Sequence, residues 1–396
     1  MRIFTKAIRA LHTSQSRVRL SSTSNSARQC CHRSPSFSSV SDRNAIVDLR
    51  SDTVTLPSSH MLQAVTQAPL GDDVMKEDPT ILEFEHSVAD LFGKEKALFL
   101  PTASMANLVA LLSHCNTRAS EIIIGTESHI NLWEGGNPAN LGGIHTRQTP
   151  EDNDARLSEQ GIMDCFRNGV DDHWPHTALL CLENTHNMCG GVALPKSYLD
   201  QIGRLAHERM NIPVHVDGSR IFNAAVAQEI TVKDLCQHVD SVTICLSKGL
   251  GAPVGSVLVG ETEFIRLARR ARKRCGGGMR QAGVLAAMGM YAVQHNVDRM
   301  VEDHVNAKKL GKALKENGFY LLRDGKIDTN IVYFGLPEAC TITREDFLLR
   351  LREEYGVKLT GGYSSGGKLF RAVTHMHIDN SKIDRAIEGM IALGNS

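Results

Sequence analysis

Residues 241 to 260 read SVTICLSKGLGAPVGSVLVG, a stretch in which one lysine, Lys248, stands between an apolar run and a glycine-rich loop. The runs SVTICLS and GSVLVG on either side of the loop have the length and composition of buried strands. A charge at the end of such a strand is unfavourable unless it is paired or neutralised. Two interpretations are open at this point. Lys248 extends its ammonium to water along its aliphatic stem, or it is a Schiff-base lysine whose amine stays partly neutral and attacks an aldehyde.

Similar runs recur through residues 45 to 290, where strand-length apolar segments alternate with longer segments of helical pattern. The strand candidates are ALFLP, EIIIG, TALLCLEN, IPVHVDG, SVTICLS and GSVLVG, and the helix candidates include SMANLVALLSHC, KSYLDQIGRLAHERM and EFIRLARRARKR. This alternation predicts an α/β fold with a doubly wound, mostly parallel sheet. We expect this large domain to bind its ligand at the carboxyl ends of the strands.

The remaining residues, 291 to 396, carry a shorter α+β pattern. A helical stretch from about 284 to 317 leads into it. NIVYFGL and KLFRAVTH have strand character there, whereas REDFLLRLREEYG and SKIDRAIEGMIALG have helical character. We therefore predict a second, smaller C-terminal α+β domain.

The composition narrows the classes of partner. The chain has 396 residues, 42% of them hydrophobic and 22% charged, and its formal net charge is zero, which favours neither nucleic acid nor an anionic membrane as a partner. No apolar stretch reaches the ~18 residues of a spanning helix. The basic run RLARRARKR lacks interleaved aromatic residues and is interpreted as a solvated helix face. The ten cysteines form no CxxC pair and no zinc-spaced cluster, so no metal site is predicted.

The first 44 residues differ from the rest of the chain. They contain repeated Arg and much Ser, and their first acidic residue is Asp42. Such a composition is typical of a mitochondrial transit peptide, in which MRIFTKAIRALH would form a basic amphipathic helix. This interpretation predicts a protein of the mitochondrial matrix. The alternative is a disordered basic tail on a cytoplasmic protein.

A second polar residue ends another strand candidate. Asp217 closes IPVHVD just as Lys248 follows SVTICLS, and if both strands are parallel members of one sheet, the carboxylate and the amine emerge at the same edge. A carboxylate there can keep a pyridinium nitrogen protonated, which makes the ring an electron sink. Pyridoxal phosphate requires this pairing of a lysine and an acid. A turn-forming aspartate before glycine is the alternative.

Pyridoxal phosphate also needs a phosphate site, and a helix start supplies backbone N–H groups whose dipole favours an anion. LFLPTASMANLVALL offers such a start, with Thr102 and Ser104 after Pro101, although an ordinary helix cap would look the same. His129, after EIIIG, is a candidate for stacking on the ring. A satisfied structural histidine is the alternative.

Two arginines are candidates for holding a substrate carboxylate, because the planar guanidinium binds both oxygens. Arg220 follows Asp217 in VDGSRIF, and Arg371 lies in the strand candidate KLFRAVTH of the smaller domain. Either could instead form a surface ion pair. A nicotinamide site is excluded, because a dinucleotide loop must open a helix, whereas here Pro253 is followed at once by the strand-like GSVLVG.

Six separated motifs resemble the low-specificity L-threonine aldolases, pyridoxal-phosphate enzymes with the aspartate aminotransferase fold. They are VDLRSDTVTLP, GDDVMKEDPT, LENTHN, HVDGSRIFNA, CLSKGLGAPVGSV and GGGMRQAGVLAA, with a weaker match in RAVTH. The resemblance implies that the large domain binds pyridoxal phosphate, that Lys248 forms its Schiff base, that Asp217 is the partner of the pyridine nitrogen and that His129 stacks on the ring.

The resemblance also implies roles for residues around the cofactor phosphate and the substrate. Phosphate contacts would come from the helix start at Ala103 and Ser104, and from Arg280, which would reach across a subunit interface of a homodimer or homotetramer. The substrate carboxylate would be held by Ser51, Arg220 and Arg371, and His173 would be a second active-site histidine. His129 and His173 are both candidates for the catalytic base.

The activity implied is retro-aldol cleavage of L-threonine or L-allo-threonine to glycine and acetaldehyde. One departure matters: the phosphate loop reads TASMAN where the family has SGTMGN, so Ala103 and Ala106 replace glycines and disfavour a positive φ. We expect cofactor binding to survive in weakened form. The alternatives are a related pyridoxal-phosphate enzyme, either a β-eliminating lyase or a racemase, and a non-catalytic relative.

Overall fold

The structure, a computed structural model, describes residues 46 to 361 and 369 to 396. The predicted transit peptide, residues 1 to 44, lies outside the described residues, so the mitochondrial address stays a prediction. The strands of the described part are β1 (Val47–Asp48), β2 (Lys96–Leu100), β3 (Ser120–Gly125), β4 (His145–Thr149), β5 (His176–Glu183), β6 (Val214–Gly218), β7 (Ser241–Cys245), β8 (Ser256–Gly260), β9 (Tyr320–Leu321), β10 (Ile331–Gly335), β11 (Val357–Lys358), β12 (Thr360–Gly361) and β13 (Phe370–Val373).

The α-helices are distributed along the whole described part. In chain order they are α1 (Ser59–Gln67), α2 (Pro79–Phe92), α3 (Ala103–His114), α4 (His129–Leu132), α5 (Asn137–Asn140), α6 (Glu159–Cys165), α7 (Lys196–Arg204), α8 (Ile221–Gln228), α9 (Val232–Leu235), α10 (Thr262–Arg274), α11 (Gly283–His295), α12 (Met300–Glu316), α13 (Arg344–Tyr355) and α14 (Asn380–Gly394). None of these described helices combines the length and apolar character needed to cross a membrane.

A seven-stranded sheet with the order β2-β8-β7-β6-β5-β3-β4 forms the centre of the larger core. β8 runs antiparallel to β2 and β7, and the other pairings in this sheet are parallel. Alternate residues pack into separate apolar clusters: Ile123 and Leu180 belong to one cluster, and Ile122 and Leu179 to another. Apolar side chains therefore cover both faces of the sheet. The predicted α/β class with a doubly wound, mostly parallel sheet is confirmed.

Local sequence signals explain where the helices next to the sheet begin and end. α2 begins with Pro79 in its first turn, and the side chain of Asp78 accepts a hydrogen bond from the N–H of Ile81. It ends at Gly93, whose left-handed backbone (φ 62°) closes the helix. These are the cap residues expected at an N-terminus and a C-terminus.

A second apolar cluster joins the C-terminal helices and strands, including the antiparallel sheet of order β12-β13-β10-β9. Val47 and Leu49 also belong to this cluster. β1 pairs with β11 in parallel, and the N–H of Val373 donates to the carbonyl of Leu49 at 2.9 Å. β1, which the boundary predicted at residue 45 assigns to the large domain, thus packs with the smaller core, because the sequence of a two-residue strand does not reveal which strand it pairs with.

The helical stretch expected from about 284 to 317 consists of two helices, α11 and α12. Asn296 ends α11, and its buried side-chain amide donates to the carbonyl of Leu250 at 2.7 Å. Leu250 lies in the turn that follows Lys248. A tertiary hydrogen bond to that turn therefore anchors the chain where the helical pattern suggests no interruption.

The turn after Lys248 leads directly into β8 and depends on two glycines. The N–H of Gly251 donates to the carbonyl of Lys248 at 2.9 Å, and the φ angles of Gly251 and Gly255 are 77° and 114°. A Cβ on Gly255 would lie 2.8 Å from the ring of Phe99. Backbone conformation and steric space both require glycine here. The loop connects two strands, as the position of Pro253 predicts.

Candidate active site

The candidate site lies at one edge of the seven-stranded sheet. β2, β3, β5, β6 and β7 run in the same direction, so their carboxyl ends share this edge. The chain leaves those ends toward Thr102 after β2, His129 after β3 and Lys248 after β7, and Asp217 is the last residue but one of β6. The topology therefore brings together polar residues that are far apart in sequence.

Asp217 is the buried anion of this site. It is 2% exposed, and its Oδ1 accepts hydrogen bonds from the N–H and the hydroxyl of Ser219 at 3.0 and 2.7 Å. Its Oδ2 accepts one from the amide of Asn107 at 2.9 Å. Burial alone would raise the pKa of Asp217, but the charges of His129 and Lys248, together with these hydrogen bonds, hold the pKa below its ordinary value. The carboxylate is thus ionised and available to a protonated ring nitrogen.

His129 lies beside Asp217 and is oriented by two glutamates. Its Nδ1 is 3.1 Å from Oε1 of the buried Glu134, and its backbone N–H donates to Oε2 of Glu183 at 2.6 Å. Burial lowers the pKa of His129, but the hydrogen bond to Glu134 and the charges of Asp217 and Glu183 outweigh it, so the pKa is raised. Because Nδ1 faces a carboxylate, the outward nitrogen of this imidazole is Nε2.

The donor set fits pyridoxal phosphate. One ligand atom each from His129, Glu134 and Asp217 lies within 4.8 Å of the others, a spacing that could also suit a metal ion. Lys248 already contributes a positive charge beside Asp217, however, and this charge disfavours a metal cation at the same place. An anion, an imidazole and a lysine amine at one sheet edge instead match the ring nitrogen, the ring face and the aldehyde of this cofactor.

The start of α3 could hold the cofactor phosphate. The side chain of Thr102 caps the helix by accepting from the N–H of Met105 at 3.1 Å. Ala103 and Ser104 are the first two helical residues, and the amides of a first turn have no acceptor within the helix. Neither Ala103 nor Ala106 has a positive φ, and Ala106 is fully buried in an apolar cluster with Leu98. The alanines of TASMAN therefore keep the helix start intact, and the expected backbone penalty does not arise.

Arg220 forms a buried ion pair with Asp52 that was not predicted from the sequence. Its Nε and Nη2 each donate to a carboxylate oxygen of Asp52 at 2.7 Å, and the two residues are 6% and 0% exposed. Burial opposes both charges, but the pair lowers the pKa of Asp52 and raises that of Arg220. This side-on geometry leaves Nη1 as the guanidinium nitrogen that Asp52 does not contact. Asn330 also donates to Asp52, at 3.3 Å.

The other predicted substrate ligands lie around Asp52. Arg371 is buried on β13, where it donates to Oδ1 of Asn187 at 2.8 Å and to the carbonyl of Arg50 at 3.0 Å. Its charge contributes to the lowered pKa of Asp52. Ser51 precedes Asp52 directly, and its hydroxyl accepts from the N–H of Thr53 at 3.2 Å. The predicted Ser51, Arg220 and Arg371 are thus brought into one neighbourhood that spans both cores.

Two predicted residues lie elsewhere in this chain. His173 does not lie in the cluster of this chain: its side chain is 90% exposed, it contacts Asp171 at 2.7 Å, and it precedes the amino end of β5, so its predicted role stays a prediction. β5 has 8 residues, so at ~3.3 Å per residue His173 is roughly 25 Å from the carboxyl edge. Arg280 is also exposed (60%), and its side chain pairs with Asp72 at 2.9 Å rather than with the cluster. Its predicted role would require a second subunit.

Several residues of the site were not predicted from the sequence. Asn107 donates to both Asp217 and Glu134, and it lies in the TASMAN motif itself. His186 is 2% exposed, lies just beyond β5 in LENTHN, and contacts Oε1 of Glu151 at 3.1 Å through Nε2. Asp52 lies in VDLRSDTVTLP. A signal was therefore available for these three, because each falls in a motif that was recognised for a neighbouring residue.

A doubly wound sheet that carries this lysine, aspartate and histidine at one edge defines a pyridoxal-phosphate-dependent enzyme. The beta-eliminating lyase family matches residues 48 to 336 of the chain. A protein of Arabidopsis thaliana named probable low-specificity L-threonine aldolase 2 is 46% identical over 312 residues, which are 78% of this chain and 87% of that protein. The low specificity L-threonine aldolase of Escherichia coli is 43% identical over 339 residues, 85% of this chain and 96% of that protein.

Among solved structures, the threonine aldolase of Leishmania major has the same fold, with a TM-score of 0.75 at 17% identity over 88% of this chain and 99% of that chain. The chain belongs to the beta-eliminating lyase family, and within it to the low-specificity L-threonine aldolases. It is accordingly a lyase, and the predicted cofactor, pyridoxal phosphate, is confirmed.

The ion pair of Arg220 and Asp52 leads to a stability prediction. Asp52→Ala leaves a buried guanidinium without its anion, so the free energy of unfolding should fall by about 3 to 5 kcal/mol. Asp48→Ala is the matched control: it removes the other acid of the same segment, whose partner Arg50 is 48% exposed, and should cost less than about 1 kcal/mol. Urea unfolding of both variants without cofactor provides the measurement. Equal losses would contradict the assigned importance of the pair.

Proposed function

We propose that the protein is a pyridoxal-phosphate-dependent aldolase that cleaves L-threonine and L-allo-threonine between Cα and Cβ, giving glycine and acetaldehyde. The observation that carries the proposal is the buried Asp217 beside Lys248 and His129, in a chain 46% identical to a protein named as a low-specificity L-threonine aldolase. The reaction would serve threonine breakdown and glycine formation.

Each residue of the cluster has a separate task. Lys248 would hold the cofactor through its amine, and Asp217 would keep the ring nitrogen protonated. The helix start at Ala103 and Ser104 would bind the phosphate through backbone amides. When bound, pyridoxal phosphate supplies an electron sink for the electron pair left on Cα.

The substrate carboxylate would be bound between the two cores. Arg220 offers Nη1 while Asp52 fixes its other two nitrogens, and Arg371 approaches from β13. A guanidinium that is held in place loses little further conformational freedom when it binds the carboxylate. Holding the amino acid there would place its β-hydroxyl toward His129.

His129 is the proposed proton acceptor. Its Nδ1 is engaged by Glu134, so Nε2 would take the proton of the β-hydroxyl as the Cα–Cβ bond breaks and the aldehyde forms. His186 is less suited, because its Nε2 contacts Glu151 and its Nδ1 accepts from the N–H of Cys189 at 3.4 Å. In its neutral form, with the proton on Nδ1 facing Glu134, the oriented imidazole of His129 has one open nitrogen and matches the requirement for a general base. The raised pKa makes that nitrogen the stronger base and requires a pH at which the neutral form is populated.

The activity is tested by incubating purified protein with pyridoxal phosphate and L-threonine, and then with L-allo-threonine. Glycine and acetaldehyde should appear in equal amounts, and Lys248→Ala should lower the rate by at least ~10³-fold. Borohydride treatment of the cofactor-loaded protein should label Lys248. Release of ammonia would favour a β-eliminating lyase, inversion at Cα would favour a racemase, and no cofactor absorbance would favour a non-catalytic relative.

The proposed base is tested with a matched pair of histidine substitutions. His129→Asn should lower kcat for threonine cleavage by about 10²- to 10⁴-fold, since a positioned general base contributes about that much. His173→Asn should leave kcat unchanged, because this side chain is exposed at the opposite edge of the sheet. An unaffected rate in His129→Asn would exclude the imidazole as the base, and a large effect of His173→Asn would require it to act in a neighbouring subunit.

We also infer that the active unit is a homodimer or homotetramer in which Arg280 contacts the cofactor phosphate of a second subunit. Large apolar side chains are exposed around the pair of Arg280 and Asp72: Leu70 is 47% exposed, Val74 40% and Met75 64%. Exposed apolar groups around a solvent-accessible arginine support an interface with a second copy.

Complementation between two inactive variants tests whether Arg280 completes the active site of a second subunit. Lys248→Ala and Arg280→Ala should each be inactive alone, whereas their co-expression should restore about a quarter of the wild-type activity, because mixed dimers contain one complete site. Co-expression of Lys248→Ala with Asp217→Ala is the control and should restore nothing, since both residues serve the site of their own chain. Failure of the first pair to recover would place Arg280 outside the neighbouring site.

A further inference from the structure

A continuous hydrogen-bond chain reaches the active site from within the sheet. Asn107, on α3, is fully buried, and its side-chain amide donates to Asp217 at 2.9 Å and to Glu134 at 2.8 Å. Its carbonyl oxygen Oδ1 is 3.2 Å from Nε2 of His215. The orientation of this amide decides whether its N–H donors or its carbonyl oxygen face Asp217 and Glu134.

The chain continues away from the site through two further residues. Nδ1 of His215 is 2.8 Å from the hydroxyl of Ser241, and that hydroxyl is 2.8 Å from Nε2 of His114. His215 and Ser241 are fully buried and lie on the adjacent strands β6 and β7. The four residues thus connect the far end of α3 with the carboxyl edge of the sheet.

The donors and acceptors of these side chains allow the hydrogen-bond chain only one direction. Oδ1 of Asn107 can only accept, so Nε2 of His215 must carry a proton and donate. Nδ1 of a neutral His215 then accepts from the hydroxyl of Ser241. That hydroxyl has a single proton, so it accepts from Nε2–H of His114. All donors therefore point toward the acidic side chains of the site.

We propose that Asn107 is a positioning residue for Asp217, held in one amide orientation by the hydrogen-bond chain that begins at His114. Turning the amide over would place its oxygen against the oxygens of Asp217 and Glu134, and would leave Nε2–H of His215 without an acceptor. Both changes are unfavourable in a buried site. The chain thus stabilises one arrangement of the carboxylate that faces the cofactor ring.

The lowered pKa values of His215 and His114 favour neutral imidazoles, as this direction of the hydrogen-bond chain requires. Burial lowers the pKa of His215 more than the charge of Asp217 raises it. Burial and the neighbouring His215 lower the pKa of His114 to about 3. A charged His215 would donate from both nitrogens and would deprive the hydroxyl of Ser241 of its acceptor.

The first test uses the protein without cofactor or substrate. Selective ¹⁵N labelling of histidine should show, at neutral pH, that His215 is the neutral Nε2–H tautomer, with the signal assigned by its loss in His215→Asn. Ser241→Ala removes the donor to Nδ1 and should shift the ¹⁵N resonance of that nitrogen, while Nε2 keeps its proton opposite Oδ1 of Asn107. An Nδ1–H tautomer or an imidazolium in the wild-type protein would overturn the proposal.

The second test measures cofactor affinity. Asn107→Leu should weaken pyridoxal-phosphate binding about 10- to 100-fold, the loss expected for a hydrogen bond to a charged group. Ser241→Ala should weaken pyridoxal-phosphate binding several-fold, although Ser241 lies outside the active site. Ser256→Ala is the matched control, because Ser256 is equally buried on the adjacent β8 but bonds only the carbonyl of Ile244 in the described structure.

Equal affinities of Ser241→Ala and Ser256→Ala, in variants whose thermal unfolding matches, would refute the positioning role. The inference rests on the pyridoxal-phosphate part of the proposed function and on no amino-acid substrate. A protein that binds the cofactor but fails to cleave threonine would therefore refute the aldolase activity and leave the hydrogen-bond chain intact.

Discussion

The burial of one carboxylate, Asp217, is the constraint on which the active site depends. A charge at the end of a central strand is stable only when hydrogen bonds and opposite charges surround it. Ser219, Asn107, His129 and Lys248 provide that environment, and each comes from a different element at the carboxyl edge of the sheet. The same arrangement that makes the buried anion tolerable leaves it ionised beside the lysine. Stability and chemistry at this edge have a common electrostatic origin.

A second constraint joins the two apolar cores through the segment that follows β1. Asp52 binds Arg220 of the larger core and Asn330 of the smaller one, and the hydroxyl of Thr55 donates to the carbonyl of Lys248 at 2.9 Å. These contacts fix the segment between Lys248 and the proposed carboxylate ligands. The substrate site therefore depends on how the cores pack against each other, because neither contains all of its residues.

The predicted residues that the structure brings together stand at the ends of strongly apolar strands or in long motifs. Asp217, Lys248 and His129 could be found this way, because parallel strands bring their carboxyl ends together whatever the details of packing. His173 lies away from this edge in the described chain, and a histidine in a polar loop carries no signal of which sheet edge it occupies. The alanines of TASMAN were expected to weaken cofactor binding because alanine disfavours a positive φ. The segment is instead the first turn of the regular helix α3, where no positive φ is needed.

The class of fold and six of the seven strands of the central sheet were readable from the chain alone, since hydrophobic periodicity is a property of each segment by itself. The cofactor and the family followed from the resemblance of six separated motifs. Packing decided the rest. Asn107 and Asp217 are 110 residues apart, and Asp52 and Arg220 are 168 apart, yet each pair meets within 3 Å. Hydrogen bonds of that kind depend on distances and angles that arise only when separate elements assemble, so no local pattern encodes them.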